Sequence, residues 1–425
     1  MNKIQDNSKL YSFLRPYVDY HIRKAFRRYK VVGTENIPQD AACIFGANHT
    51  NTLMDALVLL RMSKEKKVFI ARGDIFKKKF ISKTMHFLRI LPIYRIRDGY
   101  KSVKDNNAEI IEKAADVIHD EVKLFLYPEA SHRTKHSIKQ LSKGIFHIAL
   151  KANESFGHEK PIYLIPTGIE YGDYFRYRST VLISFGQPIN VTEYVAQHKD
   201  ESEAIIMNGL RDLLTDGIVK NISYIPDNDE DYEAIWEMTK IKSGLSGNLD
   251  ERLQRNQETI KEILEWKEKE PEKAKNTFEK VNKFIKERKK KRISVTSVNK
   301  KNILGTIIWK TLVTLLGLPL YIVSAIANLP IWLVTMFLKN SFKDKAWSNT
   351  VSFGVEFVLH PLLTILCITL TFRLLPWEIA LVCCILFYFS YIYFVDFSEF
   401  LRRWASDVRW LFYKKRKDID FFKIS

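Results

Sequence analysis

Between residues 8 and 29 apolar side chains recur every fourth position, at Leu14, Val18, Ile22 and Phe26, while Lys24, Arg27 and Arg28 fill the surface between them. That period predicts a basic amphipathic helix over residues 1–30, suited either to an anionic bilayer or to the core of its own domain. From residue 31 the period shortens. The runs "ACIFGA", "KKVFIAR", "ILPIYRI", "VKLFLYPE", "PIYLIPTGIEY" and "TVLISFG" are short and rich in β-formers. Helical patterns lie between them, at 101–119 (Val103, Ile110, Ile111, Ala114, Ala115, Ile118) and at 142–152. Strands alternating with helices predict an α/β domain over 31–195 with a largely parallel sheet.

Beyond it the apolar positions thin out, then crowd. Residues 196–301 are dominated by Glu, Lys and Asn, with Ile260, Ile263, Leu264 and Trp266 among the few apolar positions. They predict charged helices closing on the basic run 286–292. Three apolar blocks follow within 302–397, at 303–338, 351–372 and 377–396. A bilayer core about 30 Å thick needs roughly 20 apolar helical residues. The first block exceeds one span but is short for two, and Pro319, Asn328 and Pro330 interrupt it. Basic clusters precede the first block, follow it (Lys339, Lys343, Lys345) and follow the last (Lys414, Lys415, Arg416, Lys417). With all three clusters in the cytosol, the apolar stretches form two helical hairpins, the first either spanning or re-entrant. Residues 398–425, with Phe400, Trp404, Val408, Leu411 and Phe412 among cations, predict a basic interfacial tail. The pattern describes an integral membrane protein whose α/β domain faces the cytosol.

Charge narrows the partners. Lys+Arg number 67 against Asp+Glu 49, a formal net charge of +18, which calls for an anionic partner. Zinc-finger spacing, repeated basic helices and RNA-binding strand motifs are missing, so nucleic acid is set aside in favour of anionic membrane lipids. Cys43, Cys367, Cys383 and Cys384 show neither metal-ligand spacing nor a disulfide framework and are expected to be reduced structural residues. The opening "MNKIQDNSKLYSFLRPY" has no apolar core of signal-peptide length, so no cleaved signal is expected.

Candidate chemistry begins in "GANHTNTLMDALVLL", residues 46–60. His49 and Asp55 are six positions apart, about 120° around a helix, so they cannot share one helix face. His49 is expected in a loop after the "CIFGA" strand and Asp55 on the next helix, its carboxylate folding back onto the imidazole. A carboxylate that fixes the tautomer makes the histidine a competent general base. The same spacing also fits a helix-capping histidine with a surface aspartate. A second strand, "FLYPEASHRTK", runs directly into Pro128 and Glu129, and such loops converge at the carboxyl edge of an open sheet. Arg72, Arg95 and Arg97 follow strands at the same kind of edge, where a guanidinium suits a phosphate.

Four blocks in order over roughly residues 30–195 resemble the glycerolipid acyltransferase superfamily, which includes glycerol-3-phosphate and lysophosphatidate acyltransferases. "ANHTNTLMDAL" is similar to its His/Asp block, "VFIAR" to its arginine block, "YPEASH" with "LSKG" to its Phe-Pro-Glu-Gly block, and "LIPTGIEY" to its proline block. Five residues, Thr50 to Met54, separate His49 from Asp55 where four are usual, a form that looks like the branch with glycerol-3-phosphate/dihydroxyacetone-phosphate acyltransferases. Tyr127 stands where phenylalanine is usual. Ala130 stands where the family has glycine, which turns a backbone more freely.

The resemblance implies an α/β acyltransferase domain followed by charged helices and a C-terminal helical transmembrane region. It implies acyl transfer from acyl-CoA or acyl-acyl carrier protein to a glycerol-phosphate acceptor, with no cofactor, no metal and no covalent enzyme intermediate. His49 is then the base and Asp55 its orienting partner. Arg72, Glu129, Ser131, Pro166 and Asn48 are then substrate-binding, with Arg72 on the acceptor phosphate and Pro166 on the donor side. Glycerol-3-phosphate or dihydroxyacetone phosphate is the expected acceptor, with 1-acylglycerol-3-phosphate as alternative. An inactive membrane-anchored protein of the same fold is a more distant one.

Overall fold

The structure, a computed structural model, describes residues 3–413 apart from 7, 40, 95–99, 158–159, 227–229 and 246, and leaves out the side chains of 100–106. Arg95, Arg97, the side chain of Val103 and the cluster Lys414–Lys417 therefore lie outside the described residues. The chain forms two compact units, Met1–Tyr174 with Ser179–Tyr224, and Phe175–Arg178 with Ile225–Ser425.

The first unit runs α1 (Lys9–Ala25), β1 (Phe26–Val32), β2 (Ala42–Ala47), α2 (Leu53–Arg61), β3 (Lys67–Arg72), α3 (Lys79–Phe87), β4 (Ile90–Ile93) and α4 (Tyr100–His119). It continues through β5 (Lys123–Leu126), α5 (Gly144–Ser155), β6 (Ile162–Tyr171), β7 (Ser179–Phe185), β8 (Ile189–Asn190), α6 (Val191–Gln197) and α7 (Glu203–Val219). The strands form one sheet in the order β1-β7-β6-β2-β5-β3-β4, with β8 pairing β6. The pairs of β2 with β5 and β6, of β3 with β4 and β5, and of β1 with β7 are parallel; β6 runs antiparallel to β7 and β8. Every residue of β2 is buried, which is why "ACIFGA" reads as a continuous apolar run with no alternation. Ile44, Val68, Leu124 and Leu164 of the sheet join a core with Ala114 and Ile118 of α4, Ile145 and Ile148 of α5, and Leu210 and Leu214 of α7. The first unit thus extends past residue 195 to Tyr224.

One expectation changes. The helical pattern predicted through residue 29 stops at Ala25, and Phe26–Val32 becomes β1, with Phe26 opposite Ser179 of β7. Phe26, Tyr29, Val31 and Val32 are β-formers, and pairing along β7 outweighs their helical spacing. Only the C-terminal half of α1 is in the core: Ile22 and Ala25 are buried, whereas Leu10, Phe13 and Leu14 are exposed.

The second unit begins with α8 (Tyr232–Lys242), α9 (Leu249–Lys269), α10 (Pro271–Lys290) and the single turn α11 (Val295–Val298). The sparse apolar positions of these charged helices meet in one core of Ile235, Met238, Ile260, Ile263, Trp266, Phe278, Val281 and Ile285. Glu237 and Arg288 form a buried ion pair at 2.6 Å beside it. Next come α12 (Ile303–Ala327), α13 (Leu329–Ser341), α14 (Ser348–Leu374) and α15 (Trp377–Leu411). Among the described residues three helices are long and apolar enough to cross a membrane: α12, α14 with the turn before it, and α15. α13 has 13 residues, about 20 Å of helix, and is too short. It is set off from α12 at Asn328, a fully buried residue whose Nδ2 donates to Ser324 O (2.9 Å) and Ser390 Oγ (2.8 Å). α15 continues unbroken through residue 397, and its last turns pack against α11 and α12, with Trp404 Nε1 donating to Thr311 Oγ1 at 3.0 Å.

Lys67 opens β3 fully buried, its Nζ donating to Ser63 O (2.7 Å), Ser63 Oγ (2.8 Å) and Glu65 O (3.2 Å). Burial, helped by the nearby Arg15, lowers its ammonium from 10.5 to about 7. The unfolded chain holds that proton to higher pH, so this group contributes stability that grows as pH rises from about 7 to about 10. Lys67→Met should remove that rise. Melting midpoints of parent and variant across the window test it, and parallel curves would refute it.

Candidate active site

The site is built where β2 ends. Asn48, the first residue past the strand, exchanges two hydrogen bonds with the backbone of Ile169 on β6: Nδ2 donates to Ile169 O (3.1 Å), and Ile169 N donates to Oδ1 (2.7 Å). Its side chain prolongs the β2–β6 ladder by one rung and fixes the direction in which His49 leaves the sheet. Asn48, expected to bind substrate, is placed as a buried staple.

Asp55 lies in the first turn of α2 and is fully buried. Its Oδ2 accepts from His49 Nδ1 (2.8 Å), Thr50 N (2.9 Å) and Asn51 N (2.8 Å), and its Oδ1 accepts from Tyr171 Oη (2.8 Å). From the first turn of α2 the carboxylate reaches back to N–H groups of the loop before the helix, and gains from the positive helix end. With Nδ1–H held by Asp55, Nε2 is the basic nitrogen of His49. The imidazole is 18% exposed, stacks on Tyr127 (centroids 4.5 Å, 21°) and meets the edge of His132 (5.7 Å, 82°). The dyad expected from the sequence is assembled, and the surface position left open for Asp55 is not the one it takes.

Glu129 is nearly buried, and both its oxygens take backbone donors: Oε1 from His49 N (2.9 Å) and Oε2 from Lys139 N (3.0 Å). Arg133 N donates in turn to His49 O (2.8 Å), so the loop after β5 is strapped to the loop after β2 on both sides of the histidine. Glu129 was expected to touch substrate; the structure makes it a clamp between the loop that carries His49 and the loop after β5. Burial raises its carboxyl above the ordinary range, outweighing the backbone donors of Lys139 and His49 and the nearby side chains of the same residues, which lower it. Ser131 Oγ accepts from Lys139 Nζ at 2.8 Å. Further along, His136 Nδ1 meets Glu170 Oε1 of β6 at 3.3 Å, and Glu170 accepts from Ser223 N (2.6 Å) and Ser223 Oγ (2.9 Å). Burial alone would raise Glu170, but His136 and the Ser223 donors outweigh it and hold the carboxyl below the usual range.

Two other expected residues stand apart from the dyad's hydrogen bonds. Arg72, at the end of β3, is held by Asp74 through Nε (3.1 Å) and a terminal nitrogen (2.5 Å), and stays 41% exposed. Pro166 pairs in register with Gly46, and its ring lies so close to Gly217 of α7 that a Cβ there would come within 2.4 Å of it. Tyr171 and Lys139 were missed. Tyr171 closes the "LIPTGIEY" run that had been singled out, but nothing in the spacing says that its hydroxyl reaches Asp55. Among the described residues no group of three or more His, Cys, Asp or Glu side chains could hold a metal ion.

Ala130 has φ +56°, the left-handed region that a glycine adopts freely. Ala130→Gly is expected to stabilise the fold by about 1 kcal/mol, because the Cβ penalty exceeds the entropy that glycine adds. A denaturation midpoint at or below the parent's would contradict this.

Residues 28–170 match the family described as Acyltransferase. No curated protein matches the chain. Among solved structures, similarity reaches the crystal structure of the 1-acyl-sn-glycerophosphate (LPA) acyltransferase PlsC from Thermotoga maritima, with 18% identity, 50% of this chain and 82% of that chain covered, and a TM-score of 0.35. That likeness is too slight to bear on substrate. The matched segment, residues 28–170, contains His49, Asp55 and Glu129.

Proposed function

We propose that the protein transfers a fatty acyl group from acyl-CoA or acyl-acyl carrier protein to a hydroxyl of glycerol-3-phosphate or dihydroxyacetone phosphate. The observation that carries this reading is the His49–Asp55 hydrogen bond at 2.8 Å, with the carboxylate fully buried and the imidazole partly open. Nε2 of His49 takes the acceptor's hydroxyl proton as its oxygen attacks the thioester carbonyl. The C–S bond then breaks, and the imidazolium returns the proton to the thiolate, so the base is regenerated and no further cofactor is called for. The segment that crosses beside His49 carries Arg133, Lys135 and Lys139, cations suited to the phosphate of the acceptor or donor. Arg72 is the second candidate for that phosphate, with Asp74 fixing its fork.

The three apolar helices support membrane association. We place the catalytic unit on the cytosolic side, where basic clusters next to apolar blocks favour anionic lipid. An acyl product partitions into lipid, and a site at that surface shortens its route.

The test is transfer from labelled acyl-CoA in membranes containing the protein, with glycerol-3-phosphate, dihydroxyacetone phosphate and lysophosphatidate supplied separately. The label should appear in the mono-acyl product and vanish with His49→Ala. Label only in phosphatidate would move the protein to the second acylation and keep the mechanism. Equal activity with His49→Ala would sink the catalytic reading and favour a structural role. Glu129→Gln should lower kcat about tenfold, because an amide accepts one of the two N–H bonds and leaves the other facing a donor. Parental kcat would show that the clamp is dispensable.

A further inference from the structure

We propose that Tyr171 is a positioning residue for the catalytic base, holding the second oxygen of Asp55 and thereby tuning how strongly His49 binds a proton. This rests on the acyl-transfer reading of the same site. The two oxygens of Asp55 have different partners. Oδ2 serves the imidazole and the N–H groups of Thr50 and Asn51, whereas Oδ1 accepts the Tyr171 hydroxyl at 2.8 Å. Tyr171 is the last residue of β6 and is buried, its ring set against Phe26 and Tyr174, each with centroids 6.0 Å away. A phenol so placed can only donate: burial, and then the Asp55 charge, push its ionisation far above the ordinary range.

The consequence is electrostatic. A donor on Oδ1 draws negative charge away from Oδ2, weakens its hold on an imidazolium, and keeps Nε2 available as a base. Among the described residues, the titratable groups around the pair include Tyr29, Tyr127, Glu129, His132 and Tyr174. Tyr29 Oη donates to Val58 O at 2.7 Å, and Glu129 is taken up by the N–H groups of His49 and Lys139. Tyr171 is also supplied by a different strand from the histidine, so it couples the end of β6 to the proton-transfer step.

The experiment uses the full-length enzyme and compares parent, Tyr171→Phe, Asp55→Asn and the double variant. Tyr171→Phe should lower kcat about tenfold with little change in either KM. It should also raise the acid limb of kcat/KM by about half a pH unit. In the Asp55→Asn background the same substitution should change kcat by less than about twofold, because its route of action is gone. Replacing Tyr171 with a difluorotyrosine keeps its shape and strengthens its donor, and should move the limb downward. That arm decides alone if Tyr171→Phe does not fold.

An unmoved acid limb, or equal losses with Asp55 and with Asn at position 55, overturns the proposal. Phe26→Leu, a change in packing against the same ring, controls for structure and should leave the limb in place. The two readings separate cleanly. An active His49→Ala enzyme defeats the acyl-transfer mechanism itself. An inactive one, with Tyr171→Phe at parental rate and limb, defeats only the role given to Tyr171.

Discussion

A carboxylate cut off from water survives only if donors surround it, and Asp55 is fully buried. Its donors come from three places: the loop after β2, the His49 ring and the end of β6. The site thus depends on β6 lying beside β2 in one register, with Ala47 opposite Thr167. A slip of one residue would turn alternate side chains to the other face and remove both Tyr171 and the backbone rungs that Asn48 uses. The sheet order and the dyad are two views of one constraint.

The other flank of β2 meets the same problem with a different chemical result. Glu129 binds N–H groups of both strand-end loops and keeps a raised pKa, because burial penalises its charge and its hydrogen bonds come from neutral groups. Glu170 is also buried, yet it faces an imidazole and two Ser223 donors and is held low. The contrast comes from the identity of the donors. Both carboxylates fasten the segment 127–142 to neighbouring structure, so the cations in it are presented from an anchored loop.

Much of this was readable from the chain and some could not have been. β2, β3, β6 and β7 lie where the short apolar runs rich in β-formers placed them, since strands buried on both faces read as near-continuous apolar runs. Phe26 misled because its four-residue spacing from Ile22 fits a helix, while its backbone partner Ser179 is more than a hundred residues away. The contacts of Glu129 and Tyr171 were illegible for the same reason. Spacing says that two loops share a sheet edge, but strand register decides which atom meets which. In α15 the hydropathy pattern ends near residue 397 and the helix does not. Asp396 and Glu399 find Arg178, Arg176, Arg402 and Arg403 within the same unit, so charge continues the helix with different neighbours.

The five-residue spacer shows how a longer loop can leave the His49–Asp55 hydrogen bond intact. One residue more than usual must be stored between a strand end and a helix start that are both fixed by the core. The structure stores it at Thr52, with φ +47° and ψ −125°, a conformation that a β-branched residue seldom adopts and that costs about 1–3 kcal/mol. The turn is closed by Met54 N donating to Asn51 O at 3.0 Å, and the strain leaves the N–H groups of Thr50 and Asn51 pointing at Asp55. Those bonds to a buried carboxylate are charge-assisted, and each is worth about as much as the strain costs. The longer loop is therefore held in place by the same carboxylate that orients the His49 ring, and the dyad sets the loop rather than the loop setting the dyad.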